Sequence, residues 1–169
     1  MLSIKKIKAI LLVAMLGLAG FTMQANAACN FASTKDGSPL AIKAVDTDTP
    51  EAKTFLETCI NPYTKAFAKD PELAKAGKKK FGYMSCTQCH GPNAGGQVGP
   101  SITDSTWQYS KHVTDKGMFE TISGGSNGGM FAWHQQLGNP ENLSTDDILK
   151  IIGWLRTQYK GGGETPWLN

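Results

Sequence analysis

Two thiols and an imidazole stand side by side at Cys86-Thr87-Gln88-Cys89-His90. The spacing C-x-x-C-H is the attachment sequence for c-type haem. It suits that chemistry because both thiols must reach the vinyl groups of one macrocycle while the adjacent imidazole is delivered to the iron from the same side. A redox-active dithiol would want a βαβ setting, and zinc would want a second pair of ligands. The sequence offers neither, so one covalent haem c is expected, held by Cys86, Cys89 and His90.

If His90 takes one axial position, the candidates for the other are Met118, Met130, His112 and His134. Met130 is the choice. It follows Gly124-Gly125-Ser126-Asn127-Gly128-Gly129, a loop whose scarcity of Cβ atoms lets backbone pass close to a flat cofactor. A thioether also raises the reduction potential relative to a second imidazole, as suits an electron carrier. The other three candidates and a vacant position stay open as alternatives. Cys29 and Cys59 remain, and in an oxidising compartment a leftover pair is most simply a disulfide. Closing a loop of about 30 residues would contribute roughly 2–4 kcal/mol.

Trp107, Trp133, Trp154 and Trp167 are candidates to wall a cofactor crevice, with Trp154 better read as core and Trp133, in the loop expected to border the cofactor edge, read equally as core or as a surface or electron-transfer residue. Lys78-Lys79-Lys80 reads as a solvated helix face or a docking element. Nucleophile triad, H-E-x-x-H helix, Walker loop and dinucleotide fingerprint are all missing.

The elements that must position these residues are few. With 169 residues, 40% hydrophobic and 18% charged, the chain has room for one ordinary globular domain. Residues 1–27 read as a cleaved signal peptide: Lys5, Lys6 and Lys8, an apolar run from Ala9 to Phe21, then Ala25-Asn26-Ala27. That run is too short to span a bilayer, which needs roughly 20 residues. Asn26 stands where lipoprotein processing wants a large aliphatic residue, so simple export to the periplasm with no membrane anchor is expected. Without the three leader lysines, 14 basic residues face 14 acidic ones. A neutral mature chain gives no ground for nucleic-acid or anionic-membrane binding.

Residues 28–69 read as an irregular extension with one helix, capped by Thr49, opened by Pro50 and stopped by Asn61-Pro62. Residues 70–169 form the second unit. Its first helix starts at Asp70-Pro71-Glu72 and carries Leu73, Ala76, Gly77, Phe81 and Met84 towards Cys86. From His90 to Met130 the chain is mostly Gly-rich loop, briefly helical over Met118–Ile122, as if organised by a cofactor. The last helix has Ser144 and Asp147 as a capping box, then Ile148, Ile151, Ile152, Leu155 and Tyr159 at helical spacing, and ends at Gly161-Gly162-Gly163.

Taken together, the Gly77–Phe81 helix leading into Cys86–His90, the Gly99-Pro100 pair, the Met loop and the last helix resemble a class I cytochrome c. The resemblance implies an all-α fold with helices wrapped around one covalent haem, Gly77 crossing Trp154 or Leu155, and His90 and Met130 as axial ligands. Within that class the stretch from about Phe81 to Trp167 is most similar to the cytochrome cL group. It includes Val98-Gly99-Pro100-Ser101-Ile102, Trp107-Gln108-Tyr109, Gly117–Gly125, Asn127–Met130 and Ile152–Arg156. That group accepts electrons from periplasmic PQQ-dependent methanol dehydrogenases. The resemblance therefore implies an electron-transfer protein rather than an enzyme, with such a methanol or alcohol dehydrogenase as donor and a downstream c-type cytochrome or oxidase as acceptor. Trp133-His134-Gln135-Gln136 looks more like the members serving lanthanide-type enzymes. Two rivals remain: a general respiratory shuttle, and a haem sensor or small enzyme with an open distal site served by His112 or His134.

Overall fold

A computed structural model describes residues 29–168. The expected leader at 1–27 lies outside the described residues. Among the described residues there are six α-helices, three short 3-10 turns and only two isolated β-bridges, so the fold is all-α.

Helix α1 (Pro50–Thr58) starts as its sequence dictates: the Thr49 hydroxyl accepts the Ala52 N–H at 3.2 Å, and Pro50 occupies the first helical position, where no N–H is needed. Asn61-Pro62 does more than end it. The Asn61 carboxamide accepts the Tyr63 N–H at 3.0 Å and opens a further helix, α2 (Pro62–Lys69), while its NH2 donates to the Leu149 carbonyl at 3.0 Å. The 28–69 stretch thus holds two helices, not the one expected. An Asn-Pro pair is a stop for one helix and a start for the next, and tertiary contact selects both readings here.

Helix α3 (Lys75–Tyr83) begins later than the Asp70-Pro71-Glu72 signal. The Asp70 carboxylate accepts the Glu72 N–H at 3.1 Å and the Leu73 N–H bonds to the Asp70 carbonyl, so these residues close a turn ahead of the helix. Helix α4 (Thr87–His90) is one turn carrying the C-x-x-C-H residues. Helix α5 (Asp115–Gly124) is longer than the Met118–Ile122 stretch expected, because the Thr114 hydroxyl caps it through the Gly117 N–H at 3.0 Å. Helix α6 (Thr145–Thr157) has the reciprocal capping box of Ser144 and Asp147. It ends at Thr157, ahead of the triple glycine.

The core is built on α6, whose Ile148, Leu149, Ile151, Ile152, Trp154 and Leu155 are buried. Helices α3 and α2 pack on it. At the α3 crossing, a Cβ on Gly77 would lie 2.0 Å from the Lys150 carbonyl oxygen and 2.8 Å from the Trp154 Cβ, so only glycine permits this approach. Trp154 is the crossing partner of the two expected, joined by Lys150. Beside it, Phe81 meets Trp154 at 4.9 Å between ring centroids.

The irregular stretch from Cys29 to Thr49 is firmly attached despite lacking helices. Phe31 packs between Phe55 and Phe119 at 5.6 and 4.9 Å. The buried Glu120 carboxylate accepts the Ala32 N–H at 2.8 Å and pairs with Lys111 and Lys116. Burial alone would raise the Glu120 pKa, but the hydrogen bonds from these partners outweigh it and hold the carboxyl below its ordinary range. Cys29 and Cys59 meet with their Cα atoms 5.4 Å apart, the separation a disulfide requires.

Candidate haem site

Helix α3 hands the chain to the thiols through a tight turn at Met84-Ser85, where Ser85 has φ +58°. The Cys89 and His90 N–H groups both bond back to the Cys86 carbonyl, at 3.3 and 2.9 Å, which winds the two cysteines and the histidine onto one turn. Neither Cys86 nor Cys89 is taken up in a disulfide, so both sulfurs are free for thioether attachment.

The Gly99-Pro100 pair folds back over this turn. The Gly99 N–H donates to the Cys89 carbonyl at 2.8 Å, and His90 Nδ1 lies 2.9 Å from the Pro100 carbonyl oxygen. A carbonyl can only accept, so Nδ1 carries the proton and Nε2 keeps its lone pair. That is the tautomer and orientation a proximal haem ligand needs.

The four distal candidates are sorted by their surroundings. Met118 is 5% exposed, a core residue of α5. His112 is buried, with Nε2 at 2.8 Å from the Thr121 hydroxyl. His134 is fully buried; its Nδ1 accepts the Gln136 N–H at 3.2 Å and its Nε2 lies 3.0 Å from the Thr145 hydroxyl. Burial drives both imidazoles down to about 4, with Lys111 and Arg156 adding to the effect on His112. Both are therefore neutral, hydrogen-bonded parts of the scaffold.

Met130 is different, half-buried on a loop rather than locked in a helix. Gly125, at φ +74°, shapes that loop: a Cβ there would lie 2.4 Å from the Met130 carbonyl oxygen. The Ser126 N–H then bonds to the same carbonyl at 3.0 Å. His134 anchors the far end, its own N–H and that of Trp133 both reaching the Ser123 carbonyl. Backbone contacts thus hold the hexapeptide that precedes Met130, and His134 is hydrogen-bonded on both ring nitrogens at its far end.

Some functional side chains escaped the sequence reading. Arg156, at the end of α6, pairs with Asp115 at 2.8 Å and donates to the His112 carbonyl at 3.0 Å; Thr64 of α2 donates to the other Asp115 oxygen at 2.5 Å. Trp167 covers the guanidinium at 4.1 Å and Trp107 flanks it at 5.6 Å. Trp107 and Trp167 thus brace α6 together with Tyr159. Trp154 is core as expected, and Trp133 is half-buried beside the Met130 loop, packed against the core. No local spacing joins Asp115, Arg156 and Trp107, so periodicity could not have found this cluster.

Two unbonded thiols and an imidazole presented on Nε2 match what a covalently bound haem requires of its protein. Comparison with known proteins decides the family. The cytochrome c family model matches residues 74–158, from the turn before α3 to the end of α6. The chain belongs to the cytochrome c family. It is 38% identical over 143 residues to cytochrome c-L of Methylorubrum extorquens, covering 82% of this chain and 67% of that one. Cytochrome cL from Methylophaga aminisulfidivorans superposes with a TM-score of 0.70 at 35% identity, over 83% of this chain and 88% of that one. Cytochrome cL from Hyphomicrobium denitrificans gives 0.67 at 36%, over 80% and 76%. A further match, to the Cbb3-type cytochrome c oxidase subunit CcoP of Rubrivivax gelatinosus, is 38% identical but spans only 47% of this chain and 25% of that subunit.

The similarity to cytochrome c-L reaches well beyond the Phe81–Trp167 stretch recognised in the sequence, since it takes in 82% of the chain. The cytochrome is an electron-transfer protein carrying covalent haem c, not an enzyme. The haem supplies the one-electron redox couple. The protein's part is to attach it, orient the proximal imidazole and set how much of it meets solvent.

Proposed function

We propose that this cytochrome is a periplasmic one-electron acceptor for a PQQ-dependent methanol or alcohol dehydrogenase, passing electrons to a downstream c-type cytochrome or oxidase. The observation that carries this reading is the similarity to cytochrome c-L over both the haem-binding residues and the N-terminal segment. A generic haem module would account for the 74–158 match alone. In this reading Cys86 and Cys89 form the thioethers, His90 and Met130 are the axial ligands, Cys29 and Cys59 form a disulfide tying the extension to α1, and residues 1–27 are the export leader. No helix among the described residues is long and apolar enough to cross a membrane, in keeping with a diffusible carrier. The hydrogen bonds of His112 and His134 within the scaffold favour this reading over a sensor served by either imidazole.

Stopped-flow mixing of the oxidised cytochrome with substrate-reduced quinoprotein methanol dehydrogenases, of calcium and lanthanide type, tests the reading. Rapid haem reduction by at least one of them is expected. Failure with both, alongside ready reduction by small-molecule reductants, would leave a general respiratory shuttle.

A further inference from the structure

We infer that the N-terminal segment, residues 29–49, is a strap that keeps the Met130 loop from opening, with Asn127 and Gln136 as the positioning residues through which it does so. This rests on the proposed function, in which Met130 is the distal ligand, and adds what keeps that ligand in place.

The loop has little of its own to hold it. The Ser126 N–H bonds to the Met130 carbonyl within the loop. Among the described residues, only two hydrogen bonds run from the stretch 126–132 to the rest of the chain: Asn127 Nδ2 donates to the Lys35 carbonyl at 2.7 Å, and Asn142 Nδ2 donates to the Ala132 carbonyl at 3.4 Å. A stretch tied this sparsely is prone to local opening, and an axial thioether would leave the iron with it.

Both sides of Met130 are tied to the same segment. Asn127 stands before it in the chain and Gln136 after it. Gln136 uses both polar atoms of its carboxamide on one residue of the strap: Oε1 accepts the Lys43 N–H at 3.0 Å, and Nε2 donates to the Lys43 carbonyl at 2.8 Å. Its own N–H is given to His134 Nδ1, so the strap, the 3-10 turn and the buried imidazole meet at Gln136. Where the loop leaves α5, Leu40 of the strap packs on Gly124, and a Cβ there would lie 3.0 Å from Leu40 Cδ2.

The strap is itself anchored, so the loop has something firm to be held by. The Ser33 N–H bonds to the Ser38 carbonyl at 2.7 Å and the Leu40 N–H to the Phe31 carbonyl at 2.9 Å, closing the turn that presents the Lys35 carbonyl. Behind that turn, the Thr34 and Thr121 hydroxyls lie 2.7 Å apart, next to the contacts of Ala32 with Glu120 and of Phe31 with the core rings. Residues 29–49 precede the span 74–158 that the cytochrome c family model matches, so the strap is an addition to the haem module. An addition fixed to the core and bonded on either side of the thioether acts on how often that ligand leaves the iron.

The test is the binding of free imidazole to the ferric, haem-loaded cytochrome, followed by its visible spectrum. Imidazole takes the iron only when the thioether is off, so its apparent affinity scales with the open fraction of the loop. Asn127→Ala and Gln136→Ala should each raise that affinity by about fivefold, the weight of one net hydrogen bond, and the double variant should raise it further. Lys35→Ala and Lys43→Ala, which keep the backbone partners, should leave it unchanged. Asn61→Ala removes bonds of α2 and none of the loop. It should lower the thermal midpoint without raising the affinity, which separates positioning from general loss of stability. Parent-like binding in Asn127→Ala or Gln136→Ala, or an equal rise in Asn61→Ala or in either lysine variant, would overturn the strap and leave the proposed function standing. A parent whose ferric form lacks the thioether charge-transfer band would overturn the Met130 assignment, and the strap's role with it.

Discussion

In the proposed site a single carbonyl, that of Pro100, leaves Nε2 of His90 as the nitrogen free to face the iron, and a single glycine, Gly125, decides where Met130 can stand. The first half of this arrangement is legible in the sequence, because C-x-x-C-H is local and its chemistry depends on spacing alone. The second half is only partly so. Choosing Met130 over Met118, His112 and His134 needs burial and partners, and these come from residues as distant as Thr121 and Thr145. Met130→Ala should abolish the red-edge charge-transfer band that marks thioether ligation of ferric haem, and should admit carbon monoxide to the ferrous form. The midpoint potential should fall by on the order of 100 mV, a modest part of the roughly 0.8 V that axial ligands span. Spectra and a redox titration decide it; His134→Gln, which keeps a donor for Thr145, should retain the band. If the band survives in Met130→Ala and disappears in His134→Gln, the distal assignment moves to His134.

At the scale of elements, the α3–α6 crossing is the joint that carries the C-x-x-C-H turn. Its tolerance is set by backbone, since the atom nearest to a Cβ on Gly77 is the Lys150 carbonyl oxygen. A side-chain neighbour could swing away, but a carbonyl inside α6 moves only with its helix. Gly77→Val should therefore destabilise by about 3 kcal/mol or more, at or above the top of the usual overpacking range. Gly82→Val, with no atom within 4 Å of its Cβ, should cost far less. Thermal unfolding followed by circular dichroism compares the two, and equal losses would show that helix propensity, not the crossing, governs. This joint was readable in advance because Gly77, Phe81 and Trp154 lie on regular helices with strong periodicity. The start of α3 was misplaced for a physical reason: Asp70 bonds to the Glu72 N–H in a turn, a use of aspartate that has the same local signature as a helix cap. Asn61 likewise gave no sign that its carboxamide would reach Leu149, 88 residues away in sequence.

Over the whole molecule, acid is the condition to which the structure is most exposed. His112 and His134 are buried neutral, with pKa values depressed from 6.5 to about 4, chiefly by burial. The unfolded chain takes up protons on these residues as the pH drops below about 6.5, whereas the folded chain does not until about 4. Each histidine's contribution is thus fully present above pH 6.5 and is lost progressively between 6.5 and 4, up to about 3 kcal/mol apiece. Local charges modulate this: Lys111 and Arg156 deepen the shift of His112, while Asp48 opposes that of His134. Glu120 and Asp146 add a loss of the same sign at lower pH. Burial raises both, but the hydrogen bonds of Lys111, Lys116 and Ala32 to Glu120, and of Lys150, Tyr63 and Thr49 to Asp146, hold them below the ordinary carboxyl range. Their stabilisation is present above their unfolded pKa values and fades as the pH falls through the folded ones. Denaturant unfolding of the haem-loaded cytochrome at pH 7 and pH 5 should therefore show a lower midpoint at pH 5. His112→Gln and His134→Gln should each narrow the difference between the two midpoints. The acid step also acts where the carrier is most specialised: protonating His134 forces its Nδ1 to give up the Gln136 N–H, loosening the far end of the Met130 loop. Loss of the thioether band on acidification should accordingly precede global unfolding in the parent. In His134→Gln the two transitions should coincide; a parent that loses both signals together would show that the loop and the core open as one unit.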